Sequence, residues 1–231
     1  MNFKELFEKA DISLSDEQIE KFRVYCDFLI EYNEKVNLTA VTEPEQIVNM
    51  HFIDSLKGAS LKEIKQGALC ADVGTGAGFP GVPIAIVRPD ITVALIDSLQ
   101  KRLVFLDELK EKLNLTNVYT LHGRCEDIGR GELRQKFDCV FSRAVARLNV
   151  LAEYDVPLVK KEGYMLAWKG PQYEDEIKEA ENAFKVLGVR MENVYLSKME
   201  DMEHVIVSVK KISNTQQKYP RQAGMPKKKP L

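Results

Sequence analysis

The chain has 231 residues, 45% of them hydrophobic, enough for one well-packed core with a helical extension. No stretch approaches the roughly 20 apolar residues of a membrane-spanning helix, the start MNFKELFEKA lacks a signal core, and the four cysteines (Cys26, Cys70, Cys125, Cys139) have no close spacing, which argues against a metal cluster or a disulfide framework. A soluble cytoplasmic protein without metal is expected, but its net charge of −2 is uneven: seven Lys or Arg and no acid follow His204, against 26 bases and 35 acids before it.

Residues 1–66 are predicted to form a helical extension. Ser15 and Gln18 have capping-box spacing, and Ile19, Phe22, Cys26, Leu29 and Ile30 then recur along one helical stripe. The stretch YNEKVNLTAVTEPEQIVNMHFIDSL (32–56) begins polar and rich in turn formers. Within it His51, Asp54 and Ser55 fall at i, i+3 and i+4, a triplet that shares one helix face either as surface and capping groups or as part of a site.

Residues 67–211 alternate strand and helix patterns, which predicts a mostly parallel, doubly wound sheet. The run Ala68–Ala71 leads into DVGTGAGFPG (72–81) and then VPIAIV, a strand, a glycine turn and a helix. Gly74, Gly76 and Gly78 allow a sharp turn and a close approach of backbone N–H groups to a ligand. Pro80 or Pro83 suits the first helical turn, and Pro89 ends the helix. Gly76, Gly78 and Gly81 also satisfy the dinucleotide pattern G-x-G-x-x-G, so the loop alone fits a nicotinamide cofactor, another nucleoside cofactor, or mere close packing. Ile91–Ile96 reads as the second strand and closes on Asp97, where a carboxylate can accept both hydroxyls of a ribose.

A helix is predicted over Ser98–Leu113, a third strand over Val118–Leu121, a fourth over Phe137–Phe141 and a fifth over Tyr164–Trp168. The third runs into GRCED (123–127), where Cys125 and Glu126 stand at the position that meets an adenine ring in such folds. The fourth runs into SRAVA (142–146), and the fifth ends at Lys169 and Gly170. Gly74, Asp97, Glu126, Arg143 and Lys169 all follow strand ends and should converge on one crevice. A helix over Asp175–Leu187 is followed by strand patterns at Val189–Leu196 and His204–Val209. Their short polar connection predicts an antiparallel pair and a sheet that finishes with a reversed strand. Seven strands with that ending are the plan of S-adenosylmethionine methyltransferases rather than of dinucleotide oxidoreductases.

The motifs DVGTGAGFPG, DSLQKR (97–102), GRCED, SRAVA and RQAGMPKKKPL (221–231), with YNEKVNLTA and HFIDSL, resemble the bacterial small-subunit ribosomal RNA methyltransferase G family, also called glucose-inhibited division protein B, over nearly the whole chain. The resemblance implies a Rossmann-like class I methyltransferase that transfers a methyl group from S-adenosylmethionine to N7 of a guanosine in 16S ribosomal RNA of the small subunit. It makes Gly74, Phe79, Cys125, Glu126 and Arg143 cofactor contacts, to which the loop and the second strand add Gly76, Gly78 and Asp97.

Arg143 and Lys169 are either ordinary bases at strand ends or catalytic groups that seat a carboxylate, a phosphate or the guanine edge. His51 is the third catalytic candidate, and Arg124 joins Lys169 as an RNA contact. His122 is expected to pack, and Trp168 to lie in the core or stack on a base. Guanine N7 carries no proton, so no general base is required. The chain correspondingly has no Asn-Pro-Pro-aromatic or Asp-Pro-Pro-aromatic motif after the fourth strand, and Cys139 lies in an apolar strand unsuited to a nucleophile. The tail, residues 212–231, carries three prolines and no apolar periodicity in PRQAGMPKKKPL (220–231), so it is expected to lie extended. Its Arg221, Lys227, Lys228 and Lys229 either contact the RNA backbone or only aid solubility. A monomer without membrane association is expected; a NAD(P)-dependent oxidoreductase and a non-catalytic RNA-binding protein are the competing readings.

Overall fold

The computed structural model describes residues 1–199 and 202–231; the turn expected between the last two strands lies outside them. The N-terminal part is helical: α1 (Phe3–Lys9), α2 (Asp16–Asn33), α3 (Pro44–Ile47), a π-helical turn (Val48–Ile53) and α4 (Asp54–Leu56). The Ser15 hydroxyl accepts the Gln18 N–H while the Gln18 side chain accepts the Ser15 N–H, which closes the expected capping box. Phe7, Phe22, Phe52, Tyr25 and Phe79 form a chain of ring contacts, most at 5.0 Å between centroids, that ties these helices to the glycine loop.

The core alternates as expected: β1 (Leu69–Val73), α5 (Gly81–Val87), β2 (Thr92–Asp97), α6 (Gln100–Lys112), β3 (Val118–His122), α7 (Cys125–Ile128), β4 (Phe137–Arg143), α8 (Leu148–Asp155), β5 (Val159–Lys169), α9 (Tyr173–Glu179), α10 (Glu181–Leu187), β6 (Val189–Met199) and β7 (Met202–Lys211). One seven-stranded sheet has the order β3-β2-β1-β4-β5-β7-β6. The first five strands run parallel to one another, and β7 is antiparallel to both β5 and β6. The reversed strand is therefore present but does not finish the sheet. Val205–Val209 is buried on both faces, whereas Met191 and Leu196 of β6 are exposed, so the continuous apolar run takes the inner position and the half-polar strand the edge. Two further differences are small: β5 begins at Val159 rather than Tyr164, and the helix expected over Asp175–Leu187 breaks at Ala180.

The N-terminal helices share one hydrophobic core with one face of the sheet, while α8 and α10 cover the other. Among the described residues no helix is long and apolar enough to cross a membrane. The tail departs from the extended form expected, because Met225–Lys228 make one helical turn, α11. A single turn needs no periodicity. Gly224, in the left-handed region at φ +84°, opens it, and Pro226 in its first turn is buried.

Candidate active site

The strand ends open onto two adjoining cavities. The first, of about 290 Å³, is lined by Gly74, Asp97, Ser98, Arg102, Arg124, Cys125, Glu126 and Tyr154 among others. Its floor follows from local backbone chemistry. Asp72, wholly buried, accepts from the Thr75 hydroxyl and the Gly81 N–H, both at 2.8 Å, and so ties the two ends of the glycine loop. Burial pushes its carboxyl up to about 7 against those hydrogen bonds. Gly74 sits at φ +70°, and a Cβ there would lie 2.7 Å from Val145 Cγ2, so only glycine fits.

Asp97 stands at the tip of β2 and is 3% exposed, but it is already engaged. Its Oδ2 accepts from Gly76 N and Arg102 Nη1, both at 3.1 Å, and its Oδ1 from Leu99 N at 2.9 Å. A carboxylate has about four acceptor positions, so one remains open on Asp97. Glu126, also 3% exposed, accepts from Cys125 Sγ at 3.3 Å and from Gly224 N at 3.0 Å, one bond per oxygen, and keeps a position open on each. Burial and the Glu126 charge push the Cys125 thiol far up, so it is a donor and not a nucleophile. Glycine backbone at close quarters and three open carboxylate positions fit a nucleoside with free hydroxyls and an amine.

The second cavity, about 280 Å³, is lined by Met50, His51, Asp54, Arg143, Ala144, Trp168, Lys169, Gly170 and His204. Ala144 lines both cavities. It follows the end of β4 with φ +57°, a left-handed backbone unusual outside glycine, and Arg143 and Val145 on either side of it line different cavities. The second wall depends on the π-helical turn, a rare geometry that clusters at functional sites. Arg143 Nη1 donates to Met50 O at 3.0 Å and to Asp54 Oδ2 at 2.8 Å, Nη2 donates to His51 Nδ1 at 3.0 Å, and the guanidinium lies 5.0 Å from the Phe79 ring centroid.

Asp54 is 1% exposed and accepts on its other oxygen from His204 Nδ1 at 3.0 Å, while its backbone carbonyl accepts from Trp168 Nε1. Burial raises the Asp54 carboxyl, but the His204 and Arg143 hydrogen bonds and charges outweigh it and hold the group below its ordinary range. The bond to Asp54 raises His204. Because guanidinium only donates, His51 Nδ1 accepts and its proton sits on Nε2, facing Thr39 Oγ1 at 2.9 Å. Burial and the Arg143 charge push His51 down to about 4, so it is neutral and both its nitrogens are occupied.

Gly74, Asp97, Arg124, Cys125 and Glu126 thus meet at the first cavity, and His51, Arg143 and Lys169 at the second. Gly76 gives its N–H to Asp97. Gly78 and Phe79 are buried behind the loop, Gly78 against the Tyr25 hydroxyl and Phe79 against Tyr25 and His51. They support the cavity and do not line it. Lys169 is 8% exposed on its side chain and is committed to Ala146 O at 2.6 Å and Glu176 at 2.7 Å, so it is not the free strand-end base expected. Trp168 is core and wall at once, and exposed His122 bonds Ser98 O.

Arg221 is not a free base: its N, Nε and Nη2 all donate to Glu153, wholly buried, so it pins the tail. Lys227, Lys228 and Lys229 are exposed. Sequence reading missed Tyr154 and His204. No local signal marks either, since His204 meets Asp54 from 150 residues away. Among the described residues no group of His, Cys, Asp and Glu could hold a metal.

The family model described as rRNA small subunit methyltransferase G (GidB) matches residues 18–206. Proteins named ribosomal RNA small subunit methyltransferase G are similar over almost the full length: that of Desulfitobacterium hafniense is 52% identical over 97% of this chain and 94% of its own, and that of Clostridium botulinum strain Eklund 17B is 48% identical over 100% of both. Among solved structures, TYW2 of M. jannaschii in complex with AdoMet has a TM-score of 0.53 at 17% identity, covering 87% of this chain and 78% of that one. An Agrobacterium tumefaciens protein described as a predicted O-methyltransferase has 0.55 at 16%, covering 70% and 83%. These two likenesses speak for the fold, and the identities of about half along the entire chain speak for kinship. The chain belongs to the rRNA small subunit methyltransferase G family.

Proposed function

We propose that this protein transfers the methyl group of S-adenosylmethionine to N7 of a guanosine in 16S ribosomal RNA of the small ribosomal subunit, in the cytoplasm and as a monomer. The observation that carries the reading is the pair of cavities that meet at Ala144. Gly74, Asp97, Cys125 and Glu126 would hold the donor in the first, and the apolar second cavity would take the target base beside Trp168 and Arg143. When bound, the donor supplies an electrophilic methyl carbon; the protein's task is to hold donor and base in line and exclude water. Guanine N7 presents a lone pair without a proton. Neutral His51, locked between Arg143 and Thr39, suits that reaction because it orients Arg143 and takes no proton.

The test is incubation with methyl-labelled donor and, separately, naked 16S RNA and intact small subunits, followed by mapping of the label. Label at guanine N7 supports the reading. Titration with NAD(H) and S-adenosylhomocysteine separates it from an oxidoreductase, and label at any other atom, or none, overturns it.

A further inference from the structure

The tail is built into the cofactor cavity. From Lys211 onward the chain crosses over α7 and α8 and is fastened at successive points. Lys211, wholly buried, donates to Val156 O and Val159 O. Arg134 donates to the carbonyls of Thr215, Gln216 and Tyr219, and Arg130 to that of Pro220. Arg221 closes on Glu153, which has no exposure of its own. Three residues later Gly224 gives its N–H to Glu126 Oε1 at 3.0 Å, and Glu126 lines the first cavity. An unpaired carboxylate at 3% exposure is costly, so this N–H fixes the direction in which the remaining Glu126 lone pairs point. Immediately beyond it the turn of α11 presents Lys227 and Lys228 to solvent.

We propose that the C-terminal segment is a positioning element for donor binding: the Gly224 N–H, held in place by the Arg221–Glu153 pair, orients Glu126 in the cofactor cavity. The inference rests on the proposed function, because it requires that the first cavity take the donor. It also gives Arg221 a task other than the two the sequence suggests, contact with the RNA backbone or solubility.

The experiment is calorimetric titration of the full chain with S-adenosylhomocysteine, without RNA, for the wild type, Gly224→Ala, Arg221→Ala, Glu126→Ala, and each tail variant combined with Glu126→Ala. Gly224→Ala is the mild probe. A Cβ there meets nothing within 4 Å, so the strain lies only in the left-handed backbone that aims the N–H. Arg221→Ala also strips Glu153 of its partner, and thermal unfolding reports that separately.

Each tail variant is expected to weaken donor binding about tenfold in the wild-type background and hardly at all with Glu126→Ala, since the acceptor being oriented is gone. Unchanged affinity in both variants, or equal losses in the two backgrounds, overturns the proposal. If the wild type itself takes up no S-adenosylhomocysteine, the cofactor reading falls first and the tail's role with it.

Discussion

Around the first cavity the polar contacts mostly join near neighbours, Asp72 to Thr75 and Gly81, and Asp97 to Leu99 and Arg102. Around the second they join distant ones: Asp54 meets Arg143 across 89 residues and His204 across 150. The two also differ in how freely their groups stand. Asp97 and Glu126 keep acceptor positions open, whereas Arg143, His51 and Asp54 satisfy one another. One wall thus carries strand-end acids with open acceptor positions beside a glycine turn, and the other a closed network that joins the N-terminal helices to β4 and β7. Removing one member should weaken the first by degrees and collapse the second.

The strongest way to break this contrast is Asp54→Ala. It leaves the Arg143 guanidinium and His204 without their shared counter-charge, and removing one partner of a buried pair costs about 3–5 kcal/mol. The expected result is a melting temperature lower by on the order of 10 °C. Methyl transfer should be lost while folded protein below the transition retains donor affinity, measured by unfolding scans and calorimetry. Donor affinity falling as much as turnover would show that the two cavities are one site.

Gly74→Val is the matching strike on the first cavity. The valine must adopt φ +70° and meets Val145, and it should weaken donor binding about a hundredfold, or ~2.7 kcal/mol, with a smaller loss of stability. Asp97→Ala acts in the same direction but also strands the N–H groups of Gly76 and Leu99, so its stability loss is the larger of the two.

A finer test uses pH. His204 titrates above its ordinary value because Asp54 favours the charged ring, so its stabilising contribution is full below that ordinary value and is lost as pH rises through the raised one. The melting-temperature difference between wild type and His204→Asn should be greatest near pH ~5.5 and shrink toward pH ~8. A difference independent of pH would mean that the pair is not ionic. Turnover, in contrast, should be nearly flat from about pH 6.5 to 8.5, because His51 is neutral throughout; a rise abolished by His51→Ala would mean that a base is present.

The smallest effect is expected at the tail's exposed end. Alanine at Lys227, Lys228 and Lys229 should leave donor affinity unchanged and reduce the slope of log RNA affinity against log salt by up to about 2. Identical slopes would remove the three lysines from the RNA surface.

Much of this protein was legible along the chain. A glycine turn between an apolar strand and a helix, a carboxylate at the next strand's tip, a Ser15–Gln18 cap and a strand–helix alternation are features of a few consecutive residues, and backbone sterics, local hydrogen bonds and side-chain period decide them wherever the segment lies. What only the tertiary structure decided are the choices made among distant segments. Sheet order put β7 inside β6, brought His204 to Asp54, divided the strand-end residues between two cavities at Ala144, and laid Gly224 against Glu126 and Arg221 against Glu153. Local pattern does not name these pairs, because a charge or an N–H takes as its partner whatever the packed chain places beside it, and burial makes the absence of that partner costly.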